Sequence, residues 1–211
     1  MSTAGPNSPG TGADSTENGS SGASWTNPSN ALADDANYAT IVQGGTTSHL
    51  LLVTNFGFAI PTATLNGIVV EVKAKCSSGT ITATATQIRK SASNYMTSAA
   101  SFTVTTTEGY ISMGSSSSTS AWGSFPPTIT QINSFDFGVG VQLGGDVGTP
   151  TLSVNHVRVT ITYTAASGYT NLPLMGVGLI NTLIHGLTLG LCSWRWRPFT
   201  RTQTRTAGVM A

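Results

Sequence analysis

HLLLVTNFGFAIPTATLNGIVVEVKAKC, His49 to Cys76, decides the fold. Ile68, Val70, Val72, Ala74 and Cys76 share one parity, and Glu71, Lys73 and Lys75 share the other. Side chains alternate across a strand, so this is a strand with one dry and one wet face. Leu50 to Val53 is a short unbroken apolar run, which fits a strand buried on both faces. Pro61 cannot donate to a ladder and belongs in a corner, and Asn66-Gly67 reads as the turn that feeds the second strand.

The same alternation recurs downstream. Gly79–Arg89, Phe102–Thr107, Phe135–Leu143 and Leu152–Tyr163 read as strands, and Thr128–Ile132 is short and β-like. In Phe135–Leu143 the Gly138/Gly140 pair points to close backbone approach or a bulge. Within Leu152–Tyr163 the apolar parity switches between Val154 and Val157, which calls for a bulge near Asn155-His156. Eight to ten short strands between Trp25 and Thr164, with no convincing amphipathic helix, predict an all-β chain: an antiparallel, jelly-roll-like β-sandwich with extended N- and C-terminal arms.

Composition narrows the function. Charged residues make up 8% of 211, against a usual ~25%. The 34 Thr and 25 Ser must carry solubility. A formal charge of +1 gives no global attraction to nucleic acid. Cys76 and Cys192 do not make a disulfide framework and read as free thiols. The N-terminus lacks the basic start and apolar core of a secretory signal.

Residues 1–24 are Gly, Ser, Thr, Asn and Pro with few acids, too little apolar area to offset chain entropy. They read as a flexible linker, or as an arm ordered by a partner. Residues 25–165 are the sandwich. Residues 166–211 differ in kind. Leu172–Trp194 carries no formal charge. Leu179, Leu183, Leu187 and Leu191 fall at i,i+4 spacing and also on one strand parity. A membrane helix, a helix packed on the sandwich and a partner-facing arm all fit. The arm is preferred, because four glycines at about 1 kcal/mol each disfavour a water-exposed helix. Trp194, Arg195, Trp196 and Arg197 alternate in pairs, and Arg201 and Arg205 follow among threonines. Aromatic and Arg anchors on an edge-seeking tail suit a protein interface. Four Arg make a thin footprint for nucleic acid.

No phosphate loop, nucleophile elbow or zinc spacing occurs. Asp34-Asp35 reads as a turn or cap, with calcium the lesser alternative. No catalytic residue, metal or cofactor is expected. Trp25, Tyr38, Trp122 and Tyr110 are candidates for a sugar-stacking platform, Trp122 and Tyr110 foremost, with core packing the preferred fate for most of them.

W-T-N-P-S-N-A (Trp25–Ala31), Y-A-T (Tyr38–Thr40), F-G-F-A-I-P-T-A-T-L-N-G-I-V-V-E-V (Phe56–Val72), W-G (Trp122-Gly123) and V-R-V-T-I-T-Y (Val157–Tyr163) together resemble a β-sandwich module of tailed-bacteriophage virion proteins. The resemblance spans about Trp25 to Tyr163. It implies a non-enzymatic structural or tail-fibre-like role in the virion, homo-oligomeric and in contact with capsid or tail subunits. It brings no catalytic residues. Two further readings stand beside it: a carbohydrate-binding host-attachment module, and a membrane-anchored surface protein.

Overall fold

Two antiparallel sheets face each other in a computed structural model that describes residues 1–42, 47–144 and 150–166. One sheet has the order β1 (Ser2–Asn7), β11 (Thr151–Ala165), β5 (Ala63–Cys76), β9 (Gly109–Ser115), with β3 (Ala39–Val42) pairing β11 beyond the end of β1. The other has the order β2 (Thr11–Ser15), β4 (Leu50–Thr54), β10 (Gly138–Leu143), β6 (Ile81–Ser91), β7 (Asn94–Tyr95), with β8 (Ala100–Val104) also on β6. The chain is an all-β sandwich.

The dry face of β5 behaves as its alternation predicts. Ile68, Val70, Val72, Ala74 and Cys76 are all buried, and they meet Val157, Val159 and Ile161 of β11 in one core. Leu51 and Val53 of β4 and Val139 and Val141 of β10 close that core from the opposite sheet. Trp122 is fully buried, with Nε1 donating to Ile68 O at 3.0 Å. A sugar cannot reach it, so its expected glycan contact is corrected: core packing holds it. Cys76 is a buried free thiol.

The predicted bulge is present. The β5–β11 register slips between Val154 and His156, leaving Asn155 as the extra residue. A second slip, at Thr162/Tyr163, falls opposite Asn66. Asn66-Gly67 is therefore a bulge inside β5 and not the expected turn. The glycines of β10 also do what the sequence asks of them. A Cβ on Gly138 would run into Val53 O, and one on Gly140 would press on Leu50 at 3.2 Å.

Three expectations change. Thr128–Ile132 is not β-like: α1 (Ile129–Ile132) is a helical turn closed by a Thr128/Gln131 capping box. The strand expected from Phe135 begins only at Gly138, because Phe137 N bonds Ser134 O in a turn that leaves Phe135 exposed. The largest change concerns residues 1–24, which are neither linker nor partner-ordered arm. β1 lengthens one sheet and β2 the other. The chain then reaches over to β6, where Asn18 Nδ2 donates to Gln87 Oε1 at 2.7 Å. Glu17 takes Arg89 through Nε at 2.9 Å and Nη2 at 3.0 Å, and accepts from Tyr95 OH at 2.8 Å. The composition argument fails here because edge strands are held by backbone ladders and paired polar groups, which need no apolar side chains.

Burial pushes the Glu17 carboxyl up, but bonds from Arg89, Tyr95 and Ser93 outweigh it and hold it below the usual range. Its stabilisation is complete above pH ~4.5 and is lost as pH falls through the folded-state value. Glu17→Gln takes the bidentate anion from the Arg89 side chain, 8% exposed, and leaves it the weaker partner Asp136 Oδ1 at 3.4 Å. Since Glu17 is a quarter exposed, we expect a loss of about 2 kcal/mol, less than for a fully buried pair. That is roughly 4–8 °C in Tm, read by thermal unfolding at pH 7. A truly flexible arm would show no change.

Candidate functional site

Charge is scarce in this chain, and its placement is informative. The described residues hold seven acids (Asp14, Glu17, Asp34, Asp35, Glu71, Glu108, Asp136) and five bases (Lys73, Lys75, Arg89, Lys90, Arg158). Seven of these twelve gather at the wet face of β5, β9 and β11, around Tyr38 and Tyr110.

The strands place them. Glu71, Lys73 and Lys75 stand on the outer parity of β5, and Lys73 pairs in register with Tyr110 of β9 and His156 of β11. Arg158 lies opposite Glu71 and is held by it through two bonds of 2.8 and 2.9 Å. The Asn155 bulge supplies two more ties: Nδ2 donates to Glu108 at 2.9 Å, and Oδ1 accepts from Asp35 N at 3.3 Å. The loop carrying Asp34 and Tyr38 is thereby fastened over the sheet. Lys73 Nζ donates to Asp34 at 2.6 Å, and Tyr38 OH donates to Glu108 at 3.0 Å.

Each tyrosine ring carries a cation. Lys75 Nζ lies 4.3 Å from the Tyr38 centroid and Arg158 Cζ 3.8 Å from that of Tyr110. Tyr110 OH meets Asp34 Oδ2 at 3.2 Å and His156 Nδ1 at 2.8 Å. His156 Nε2 meets Ser8 Oγ at 2.9 Å.

The protonation states fit together. Hydrogen bonding from Lys73 holds Asp34 below the usual carboxylate range, and Lys73 is raised in turn. Burial pushes Glu108 up, but Tyr38, Asn155 and the two lysines bring it net down. Burial, then the charge of Asp34, raises Tyr110. Burial lowers His156; Arg158 and Lys73 push the same way, and Asp34 and Asp35 oppose them.

Of the residues expected to act, Tyr110 stands in this cluster and Trp122 does not. Asp34 serves as a lysine and tyrosine partner; Asp35 bonds Asn37 N in a turn. Leu179, Leu183, Leu187, Leu191, Trp194, Arg195, Trp196, Arg197, Arg201 and Arg205 lie outside the described residues. Ser8, Glu108, Asn155 and His156 escaped sequence reasoning as site residues. They are spread from position 8 to position 156, and only the predicted bulge hinted at two of them.

A second surface lies at the end where β4 and β6 finish and β5 and β10 begin. A groove of about 420 Å³, apolar and polar in about equal parts, runs between Ile60, Thr62, Ala63 and Leu65 on one side and Pro127, Thr128, Ile129, Thr130 and Asn133 on the other. Phe125 and Phe135 are 77% and 72% exposed in the neighbouring turns. Phe125 O accepts from Lys90 Nζ, near the end of β6, and Phe135 O accepts from Asn55 N, just past β4. Phe125 also holds a left-handed φ of 60°, uncommon for a bulky residue.

No family model and no curated relative matches the sequence. Among solved structures, the apo form of BiXyn10A CBM1 is similar at 12% identity and a TM-score of 0.38, over 74% of this chain and 92% of that one. The N-terminal cellulose-binding domain of Cellulomonas fimi β-1,4-glucanase C is similar at 14% identity and 0.38, over 75% and 93%. At these values neither likeness identifies a function for the present chain.

Because burial depresses His156, its stabilisation is full above the unfolded value of 6.5 and declines as pH falls below it. In a histidine NMR titration His156 should therefore show a midpoint below 6.5. Asp34→Asn removes an opposing charge and should lower that midpoint further. A midpoint at or above the ordinary value, or an upward move in the variant, contradicts this account.

Proposed function

We propose that this is a non-enzymatic structural protein of a tailed-phage virion: a sandwich fixed to neighbouring subunits at one end and displayed at the other. The observation that carries this reading is the apolar end. Phe125, Phe135 and the Ile60–Leu65/Pro127–Ile129 groove lie where Ala166 N bonds Thr62 O, and the chain runs on from there into residues 167–211. Large apolar side chains exposed together mark an interaction surface. The resemblance of Trp25–Tyr163 to phage virion modules supports the same assignment. So does the Trp/Arg character of the C-terminal segment, which suits contact with other subunits.

The attachment no longer involves the N-terminus, which is part of the sandwich. Deleting residues 170–211 should leave a soluble, folded sandwich that fails to enter particles, as read by mass spectrometry of purified virions. Phe125→Ser with Phe135→Ser should leave thermal stability within ~0.5 kcal/mol, since both rings are exposed. Incorporation should fall at least about tenfold, the equivalent of 1.4 kcal/mol. Normal incorporation of both variants refutes the attachment role.

A second reading has its own observation. Tyr38 and Tyr110 sit among Asp34, Lys75 and Glu108, a partly exposed set of rings and paired polar groups above the buried Asn155 that suits a polyhydroxyl ligand. A glycan array with Tyr110→Ala as control discriminates. Binding that the variant loses favours host attachment through this face, and an array with no signal leaves the structural role alone. Trp122 is unsuitable as a control because its removal would empty the core.

A further inference from the structure

We infer that Ser8 is an acylatable serine, whose hydroxyl is set by His156 to take an acyl group from an activated donor such as a thioester or aryl ester. Four side chains from four parts of the chain carry this: Ser8 after β1, His156 at the β11 bulge, Tyr110 on β9, and Asp34 in the loop above them. Their contacts are continuous, at 2.9 Å from Ser8 Oγ to His156 Nε2, 2.8 Å from His156 Nδ1 to Tyr110 OH and 3.2 Å from Tyr110 OH to Asp34 Oδ2.

The direction of each hydrogen bond follows from the far end. Asp34 is ionised and only accepts, so the single Tyr110 proton goes to it. The phenol oxygen then accepts from His156 Nδ1–H. That tautomer leaves Nε2 as a lone pair facing the Ser8 hydroxyl, the arrangement of a nucleophile with an oriented general base. The depressed His156 value agrees, since it keeps the ring neutral at pH 7. His156 is buried and fixed by the bulge, whereas Ser8 is exposed and open to a reagent.

In the step, Ser8 Oγ attacks the acyl carbon while His156 Nε2 takes the hydroxyl proton. The tetrahedral adduct collapses, the bond to the thiolate or phenolate leaving group breaks, and an ester remains on Ser8. The proton passes from His156 to the leaving group or to water. The step stops there for a chemical reason. The product is an alkyl ester, whose serine alkoxide is a far poorer leaving group than the thiolate or phenolate of the activated donor. Ser8 is thus a modification site that is charged once, and not a turnover centre.

The test uses the full-length protein and 4-nitrophenyl acetate at pH 7.5. Acetylation is located by mass spectrometry of the fragment that ends at Glu17. Ser8 should acetylate roughly a hundredfold faster than Ser2 or Ser15 in the same fragment, within the range expected of a positioned general base. Nitrophenolate release at that site should stop near one equivalent. His156→Gln should abolish the preference. Tyr110→Phe keeps the ring but removes the relay oxygen and should reduce it, with circular dichroism confirming that both variants fold. Equal labelling of the three serines, or an undiminished preference in His156→Gln, overturns the inference and leaves the Ser8–His156 bond as an anchor of β1 alone.

Discussion

The pairing of β5 with β11 is the constraint on which the rest of this structure depends. Thirteen residue pairs join the two strands, from Leu152↔Cys76 to Ala165↔Ala63. Alternation makes one side of that ribbon the floor of the core and the other the floor of the candidate site. A one-residue slip would exchange the two faces. The Glu71–Arg158 pair acts against such a slip, because its two bonds form only in the observed register. The bulge at Asn155 is one of two exceptions, beside that at Asn66, and it has a use. It inserts an amide that ties the 34–38 loop to Glu108, and it turns His156 outward beside Lys73 while Val157 returns to the core.

Scarcity of charge shapes the remainder. A sandwich with few ions cannot keep its surface wet by repulsion, so threonine and serine cover it, and the ions occupy defined positions. Arg89 illustrates the cost of such placement. A guanidinium nearly sealed from water needs partners for its donors, and it finds Glu17 on one side and Asp136 O at 2.8 Å on the other. Glu17 comes from a segment whose one large apolar side chain is the exposed Met1. The N-terminal residues are ordered by what lies beneath them: two open sheet edges and a buried cation.

That is also why the sequence was readable in some places and not in others. β5, the buried run Leu50–Val53, the glycines of β10 and the parity switch in β11 all leave a periodic trace, because each reflects a side chain choosing between core and water. β1 and β2 leave none. Their ladders use the backbone, which is the same in every sequence, and composition alone argued for disorder. α1 was missed for a related reason. Four residues are too few to show a period, and only the Thr128/Gln131 spacing announced the turn. Of the candidate site, the sequence made Tyr38, Tyr110 and Asp34 legible; its other members meet across strands that are distant in sequence.

The two surfaces of interest stand well apart. Ala63, at the groove, and Lys73, beneath Tyr110, belong to the same strand, ten residues from one another, which at ~3.3 Å per residue is roughly 30 Å. A single strand thus links an apolar end to a polar, tyrosine-bearing face. No hinge intervenes, since β5 is backed along this length by β11 and from Ile68 to Ala74 also by β9. Load or orientation imposed at one end is therefore transmitted through a continuous hydrogen-bonded ribbon. The proposed attachment at one end and display at the other would draw on that stiffness, and a flexible connection between the two would forfeit it.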